Sequence, residues 1–250
     1  MYYLASMKIG ILLLLCIFFA ACSSHRAIVE NRPYTVLNKG IAGNNTNDLM
    51  KRVSADVLNE QPDLVILLVG ANDMINSHKF VSYQQFDNNY RALIKSIKDK
   101  GIALVLMSPL PVDSGYLFQR HERALFQQDP NSKLDSVTTI VKNIAAEQHL
   151  GFIDLNRIFK DRGEPGRGAH SLIVNAANMG KEDGVHPTKE GYQFMTTVIY
   201  NYLKKHRLLR KKHKLICFGD SITYGAFMDG AGTTTGDTYP ALLKKRLNGK

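Results

Sequence analysis

Cysteine is scarce in this 250-residue chain, and the three present cannot staple a fold. Cys16 sits in an apolar N-terminal stretch, Cys22 lies just behind it, and Cys217 falls inside a strand-like run. That distribution excludes a disulfide framework, even for an exported protein. Cys217 reads as a small buried hydrophobe. Long hydrophobic runs are missing as well. The apolar stretch from Ile9 to Phe19 is too short for a comfortable membrane span. There is no internal repeat, and nothing marks a collagen-like, coiled-coil or disordered chain. Aromatic residues are few, at 9%, but the apolar share of 44% is ordinary and can bury one good core.

The N-terminus reads as a targeting segment. Lys8 precedes the apolar run, and Phe19-Ala-Ala-Cys22 closes it with small residues before a cysteine. The pattern resembles a bacterial lipoprotein signal over residues 1–21, with Cys22 as the lipid-bearing N-terminus. It implies a tether over 22–33 and a protein exported and anchored to a bacterial membrane, the outer membrane first, on the periplasmic or cell-surface side. An ordinary cleaved signal with a chance cysteine is the alternative. The net charge is +10, and loss of residues 1–21 removes only Lys8, leaving +9. Much of the excess lies in the basic run from Lys204 to Lys214. No nucleic-acid motif accompanies it, so it reads as a solvated helix end and linker rather than a nucleic-acid site.

Beyond Pro33, strand-like and helix-like segments alternate. Strands are predicted over Tyr34 to Asn38, Asp63 to Val69, Ile102 to Met107, Phe152 to Leu155 and Leu215 to Phe218. Helices are predicted over Thr46 to Asn59, Tyr83 to Lys100, Pro130 to His149, Thr188 to Lys205 and Tyr239 to Leu247. Continuous Val/Ile/Leu strands separated by helices predict a five-stranded parallel sheet covered on both faces, a three-layer α/β/α domain. Two long glycine-rich loops, 162–182 and 226–238, interrupt it. Loops of that length in such a domain are often functional.

Four short blocks fall at the edge where open parallel sheets bind ligands, three directly after predicted strands and the fourth directly before the helix from Thr188, whose N-terminus lies on that edge. They are Gly219-Asp-Ser221, Gly40-Ile-Ala-Gly43, Gly70-Ala-Asn-Asp73 and Asp183-Gly-Val-His186. Acyl-transfer chemistry gives each a role. The Ser221 hydroxyl is a weak nucleophile that needs a base, and His186 is the candidate. Asp183, three residues earlier on a turn, can hold the imidazole in the useful tautomer. The Gly43 N–H, the Asn72 side-chain amide and the Ser221 N–H can form an oxyanion hole. Each block taken alone has a duller reading as turn or helix-cap chemistry. Their joint occurrence at one edge favours a hydrolase site.

Together these blocks closely resemble the SGNH, or GDSL-like, esterase/lipase family. The matching residues are Phe218-Gly-Asp-Ser-Ile-Thr-Tyr-Gly225, Asn38-Lys-Gly-Ile-Ala-Gly43, Gly70-Ala-Asn-Asp73 and Asp183-Gly-Val-His-Pro187. Ile222 stands where the family often has leucine. The resemblance implies a flavodoxin-like sheet, Ser221 as nucleophile, Asp183 and His186 as its partners, Gly43 and Asn72 in the oxyanion hole, and no metal or other cofactor. Family members often act on carbohydrate esters. The expected substrate is a small-molecule or polysaccharide ester, with O-acetyl groups on carbohydrate first. Longer acyl chains (a lysophospholipase or thioesterase) and a non-catalytic glycan-binding lipoprotein are the alternatives.

Block order departs from the family, where the Gly-Asp-Ser strand usually comes first. Here it comes last. Joining Lys250 to the region of Arg32 would restore the usual order, which is the signature of a circular permutation. Residues 34–250 are therefore expected to form one domain in which 214–250 supply the nucleophile strand and the helix after it. A truncated tandem and an exchange of that segment between two chains are the competing accounts.

Overall fold

Alternation along two strands shows how the sheet is covered. In the computed structural model, which describes residues 33–209 and 214–249, Val65, Leu67, Ile216 and Phe218 join one buried cluster. Their neighbours Leu64, Ile66, Leu68, Leu215 and Cys217 join a second. Successive side chains point to opposite faces, so a strand apolar at every position must be covered twice. The signal segment, Cys22 and all of the tether except Pro33 lie outside the described residues.

The strands are β1 (Thr35–Gly40), β2 (Leu64–Leu68), β3 (Ala103–Met107), β4 (Gly151–Ile153) and β5 (Lys214–Gly219). The helices are α1 (Thr46–Val53), α2 (Ala71–Ile75), α3 (Tyr83–Lys98), α4 (Ser114–Leu117), α5 (Pro130–Glu147), α6 (Leu155–Lys160), α7 (Ala176–Met179), α8 (Lys189–Lys205), α9 (Ser221–Tyr224) and α10 (Tyr239–Leu247). Leu49 of α1, Phe86, Tyr90 and Leu93 of α3 and Leu134 and Val141 of α5 fill the first cluster. Phe159 of α6, Tyr192, Met195 and Ile199 of α8 and Tyr239 and Leu243 of α10 fill the second. The three-layer α/β/α fold with a five-stranded parallel sheet is the one expected from the sequence.

Every strand pair is parallel, and the order is β1-β5-β2-β3-β4. The last strand in the chain therefore lies between the first two. Counted from β5, this is the flavodoxin-like order 2-1-3-4-5, which reverses beside its first strand. The crevice for a ligand lies there, outside the ends of β5 and its neighbours. In the β1–β5 register Thr35 is opposite Lys214 and Gly40 opposite Gly219. Pro33 thus enters at the edge of the sheet away from Ser221.

The two ends of the described domain meet. Tyr34 N donates to Asn248 Oδ1 at 2.8 Å, and Asn248 Nδ2 donates back to the Tyr34 carbonyl at 3.1 Å. The Tyr34 hydroxyl donates to the Leu209 carbonyl at 3.0 Å, drawing the end of the α8 segment to the same place.

Local differences from the sequence reading have local causes. The predicted strand through Leu155 stops at Ile153, because the Asp154 carboxylate accepts from Arg157 N at 3.0 Å and starts α6. The helix from Thr46 leaves α geometry at Ser54 and continues as a π turn to Leu58. The 162–182 loop contains α7, nucleated by an Asn175 capping box.

Candidate active site

Gly219 ends β5 where no side chain fits: a Cβ there would lie 2.2 Å from the Leu68 carbonyl oxygen. The next residue, Asp220, turns the chain into α9 by accepting from Ile222 N at 2.9 Å. Burial pushes the Asp220 carboxyl up to about 7. Ser221 becomes the first residue of the short helix, and its Oγ lies 3.0 Å from His186 Nε2.

His186 reaches Ser221 from the turn before α8. Its Nδ1 lies 3.1 and 3.0 Å from the two carboxylate oxygens of Asp183. The same carboxylate accepts from Val185 N at 2.9 Å and His186 N at 2.7 Å. Gly184, at φ 70°, allows this tight return. Burial opposes ionisation of Asp183, but hydrogen bonds from the His186 ring and the two amides win and hold its carboxyl below the usual range. An ionised Asp183 accepts a hydrogen bond from Nδ1–H and keeps the proton on that nitrogen, which leaves the Nε2 lone pair facing the serine hydroxyl. The hydroxyl then donates to the imidazole.

Asn72 stands at the end of β2, in the first turn of α2. Its Nδ2 donates to the Asn44 carbonyl at 3.0 Å, and its Oδ1 accepts from Asn76 Nδ2 at 3.1 Å. One amide hydrogen is left over. Gly43 precedes Asn44 in the β1 loop at φ 76°. Among the described residues, neither the Gly43 N–H nor the Ser221 N–H meets a protein acceptor. A cavity of about 110 Å³ is lined by Asn72, Arg120, His121, His186, Ser221 and their apolar neighbours. Gly43 is not in that lining and is linked to it through the Asn44–Asn72 hydrogen bond. The four blocks picked from the sequence thus meet at one edge, with Asp183 behind His186.

Sequence reasoning missed the residues that hold these loops. Arg52 of α1 donates to the Gly219 carbonyl at 2.7 Å, the Lys39 carbonyl at 2.9 Å and Asn44 Oδ1 at 2.7 Å, and its guanidinium lies 4.6 Å over the Phe218 ring. It clamps the ends of β1 and β5 and the Gly43 loop together. Arg120 donates to the Asp183 carbonyl at 2.7 Å and the Glu182 carbonyl at 3.1 Å, bracing the histidine turn. Neither carries a local signal, since both read as solvated basic residues on or near a helix. Asp73 sits in a block read as part of the site, yet its carboxylate turns inward. It accepts from Thr46 N and the Thr46 hydroxyl, and burial pushes it up to about 6.

A hydroxyl–imidazole–carboxylate chain at the order reversal of a doubly wound parallel sheet is suited to acyl transfer. The model of the GDSL-like lipase/acylhydrolase family matches residues 21–194, and the chain belongs to that family of carboxylic ester hydrolases. The match ends before Gly219-Asp-Ser221. An acetylxylan esterase of Geobacillus stearothermophilus is 27% identical over 172 residues, covering 60% of this chain and 74% of its own. An uncharacterized lipoprotein of Bacillus subtilis is 22% identical over 187 residues, covering 70% and 74%. Among solved structures, a catalytic mutant of an acetylxylan esterase from Geobacillus stearothermophilus matches at TM-score 0.53 and 24% identity, covering 66% of this chain and 70% of its own. Catalytic mutants of that enzyme replace an aspartate, a serine and a histidine, the histidine three positions after the aspartate.

Proposed function

We propose that this chain is an exported serine esterase that removes short acyl groups, O-acetyl groups on carbohydrate first, through Ser221, His186 and Asp183. The observation that carries this reading is the 3.0 Å contact of Ser221 Oγ with His186 Nε2, backed by Asp183, beside a cavity of only about 110 Å³. In the first step Ser221 Oγ bonds to the ester carbonyl carbon while its proton passes to Nε2. The carbonyl oxygen takes the negative charge and accepts from the N–H groups of Gly43 and Ser221 and the free amide hydrogen of Asn72. One such donor is typically worth about 3 kcal/mol of barrier. The imidazolium then protonates the leaving alcohol oxygen as the C–O bond breaks, and Asp183 stabilises the charge it carries. Water then gives a proton to the same imidazole as its oxygen bonds to the acyl carbon, and the imidazolium returns that proton to Ser221 Oγ as the acyl carbon–Oγ bond breaks and the free acid leaves.

The small cavity beside Ser221 seats an acetyl group in full, whereas a long acyl chain must extend beyond it and gains little further burial. Acetate release from a panel of acetylated oligosaccharides, set against aryl esters of rising chain length, tests the reading. The expected kcat/KM for acetyl esters exceeds that for octanoyl esters by roughly 100-fold. A flat profile, or no turnover of any ester, would overturn it.

Two further parts of the reading rest on other support. Family blocks in rotated order, with Asn248 bonded to Tyr34, support a circularly permuted domain over 34–250. The Phe19-Ala-Ala-Cys22 pattern and the Bacillus relative named a lipoprotein support lipid attachment at Cys22. Anchored there, the site would open away from the membrane, since Pro33 enters at the opposite edge. Fatty-acid labelling of the full chain in cells is expected to vanish in Cys22→Ser; labelling that persists would remove the anchor from this scheme.

A further inference from the structure

Phe227 is held where a phenylalanine is least at ease. It is one of four large apolar side chains left exposed among the described residues, at 47%, and its backbone sits at φ 68°, in the left-handed region. A bulky residue stays there only when its surroundings impose the conformation. The 226–238 loop does impose it. Gly232 N donates to the Tyr224 carbonyl at 2.7 Å, Asp237 N to the Asp229 carbonyl at 3.0 Å, and the Thr233 hydroxyl to the Gly230 carbonyl at 2.7 Å. Asn38 Nδ2 ties the loop to β1 through the Thr233 carbonyl at 3.0 Å. At Gly230 and Gly236 the backbone is packed so closely that a Cβ would fall 1.9 Å from Thr235 O and 2.1 Å from Asp229 O. This glycine-rich loop is a folded object, and what it displays is preorganised.

What it displays lies against the catalytic centre. The Phe227 ring meets the His186 ring edge-on, at 5.2 Å between centroids. Beyond it opens a groove of about 600 Å³, within the size range of ligand sites. Phe227 and Met179 give the groove apolar surface, and His170, Lys189, Asp229 and Asp237 give it polar groups. Lys189 Nζ pairs with Asp237 at 2.9 Å. The Asp229 carboxylate makes no hydrogen bond among the described residues. Lys181, an exposed side chain, places its Nζ 5.4 Å over the Phe227 ring and can swing aside.

An aromatic surface ringed by hydrogen-bonding groups suits one ligand chemistry best. A pyranose has apolar C–H faces that stack on a ring and hydroxyls at its edge that need acceptors and donors. An acyl tail would leave the carboxylates of Asp229 and Asp237 without solvent. A nucleic acid or acidic polymer would meet three carboxylates, those two and Glu190, against Lys181 and a Lys189 already paired with Asp237.

We propose that this groove is a subsite for a neutral carbohydrate chain, holding the sugar residues on the alcohol side of the ester. Phe227 stacks a pyranose ring, and Asp229 accepts from its hydroxyls. The inference rests on the glycan-ester reading above and deepens it.

Two measurements separate this inference from the reading beneath it. The first is binding of unacetylated xylo-, manno- and cello-oligosaccharides to the wild-type protein, Phe227→Ala and Phe227→Tyr. At least one series is expected to bind, with affinity lowered about tenfold in Phe227→Ala and kept within about threefold in Phe227→Tyr, which retains the ring. The second is kcat/KM on acetylated members of the bound series against an aryl acetate. Phe227→Ala is expected to lose about tenfold more on the oligosaccharide than on the aryl ester, mainly through KM. Equal losses on both substrates would mean that Phe227 acts only through His186 and would overturn the subsite. Absence of oligosaccharide binding would overturn it even if acetate is released. Binding that depends on Phe227 without acetate release would uphold the subsite and refute the esterase specificity.

Discussion

Ser221→Ala is expected to lower ester turnover on the order of 10⁴-fold or more, with the fold intact. The variant keeps every backbone donor around the site and removes only the hydroxyl proposed to attack. His186 loses its 3.0 Å partner but keeps the Asp183 carboxylate behind it. Ser221 is only partly buried, so its loss leaves the core as it was and the melting temperature is expected to stay within a few degrees. Acetate release and covalent labelling by a fluorophosphonate read the effect directly. Wild-type protein is expected to take the label at Ser221, and the variant to take none. Adding His186→Ala to Ser221→Ala is expected to cost little more, because the two groups act as a unit. A variant that retains more than about one per cent of turnover would place the nucleophile elsewhere.

A chain ended at Leu209 is expected not to fold at all. It lacks β5, whose residues from Leu215 to Gly219 are all buried between two neighbouring strands, and it lacks α10. Leu215, Ile216, Phe218 and Leu243 are each fully buried. At about 1.5–3 kcal/mol apiece, these four side chains contribute roughly 6–12 kcal/mol. That is comparable to the whole net stability of a domain, roughly 5–15 kcal/mol. Loss of the cooperative thermal transition checks this. The complementary variant opens the chain between Leu209 and Lys214 and joins Gly249 to Tyr34 by a short linker. Asn248 and Tyr34 are already hydrogen-bonded, so closure costs little entropy. The rotated chain is expected to fold and to cleave esters within a few-fold of the original. An unfolded rotated chain, or a folded truncated one, would refute the permuted-domain account.

Much of this was legible from the chain alone, for identifiable reasons. β2 is apolar at every position because it is covered on both faces, and such a run announces itself without any partner. Ser221, His186, Asp183 and Asn72 stand within short blocks whose composition suits their chemistry, and each block follows a strand or precedes a helix. The arginine clamps were not legible. Arg52 is an ordinary helix-surface residue in sequence, and only the meeting of three carbonyl or amide oxygens from distant segments makes it a brace. Phe227 reads as one more residue in a glycine-rich loop. Its exposure and left-handed backbone exist only once the loop has closed on itself.

Local chemistry determined the class of strand, the residue types of the site and the family. These depend on side-chain pattern and on contacts short in sequence, such as Asp183 to His186 across one turn. Assembly decided the rest. The insertion of β5 between β1 and β2, the meeting of Ser221 with a histidine 35 residues earlier, and the clamping of the β5 end to the β1 loop by Arg52 are long-range contacts. Their geometry is set by how two packed layers close over one sheet, which no stretch of the chain carries by itself.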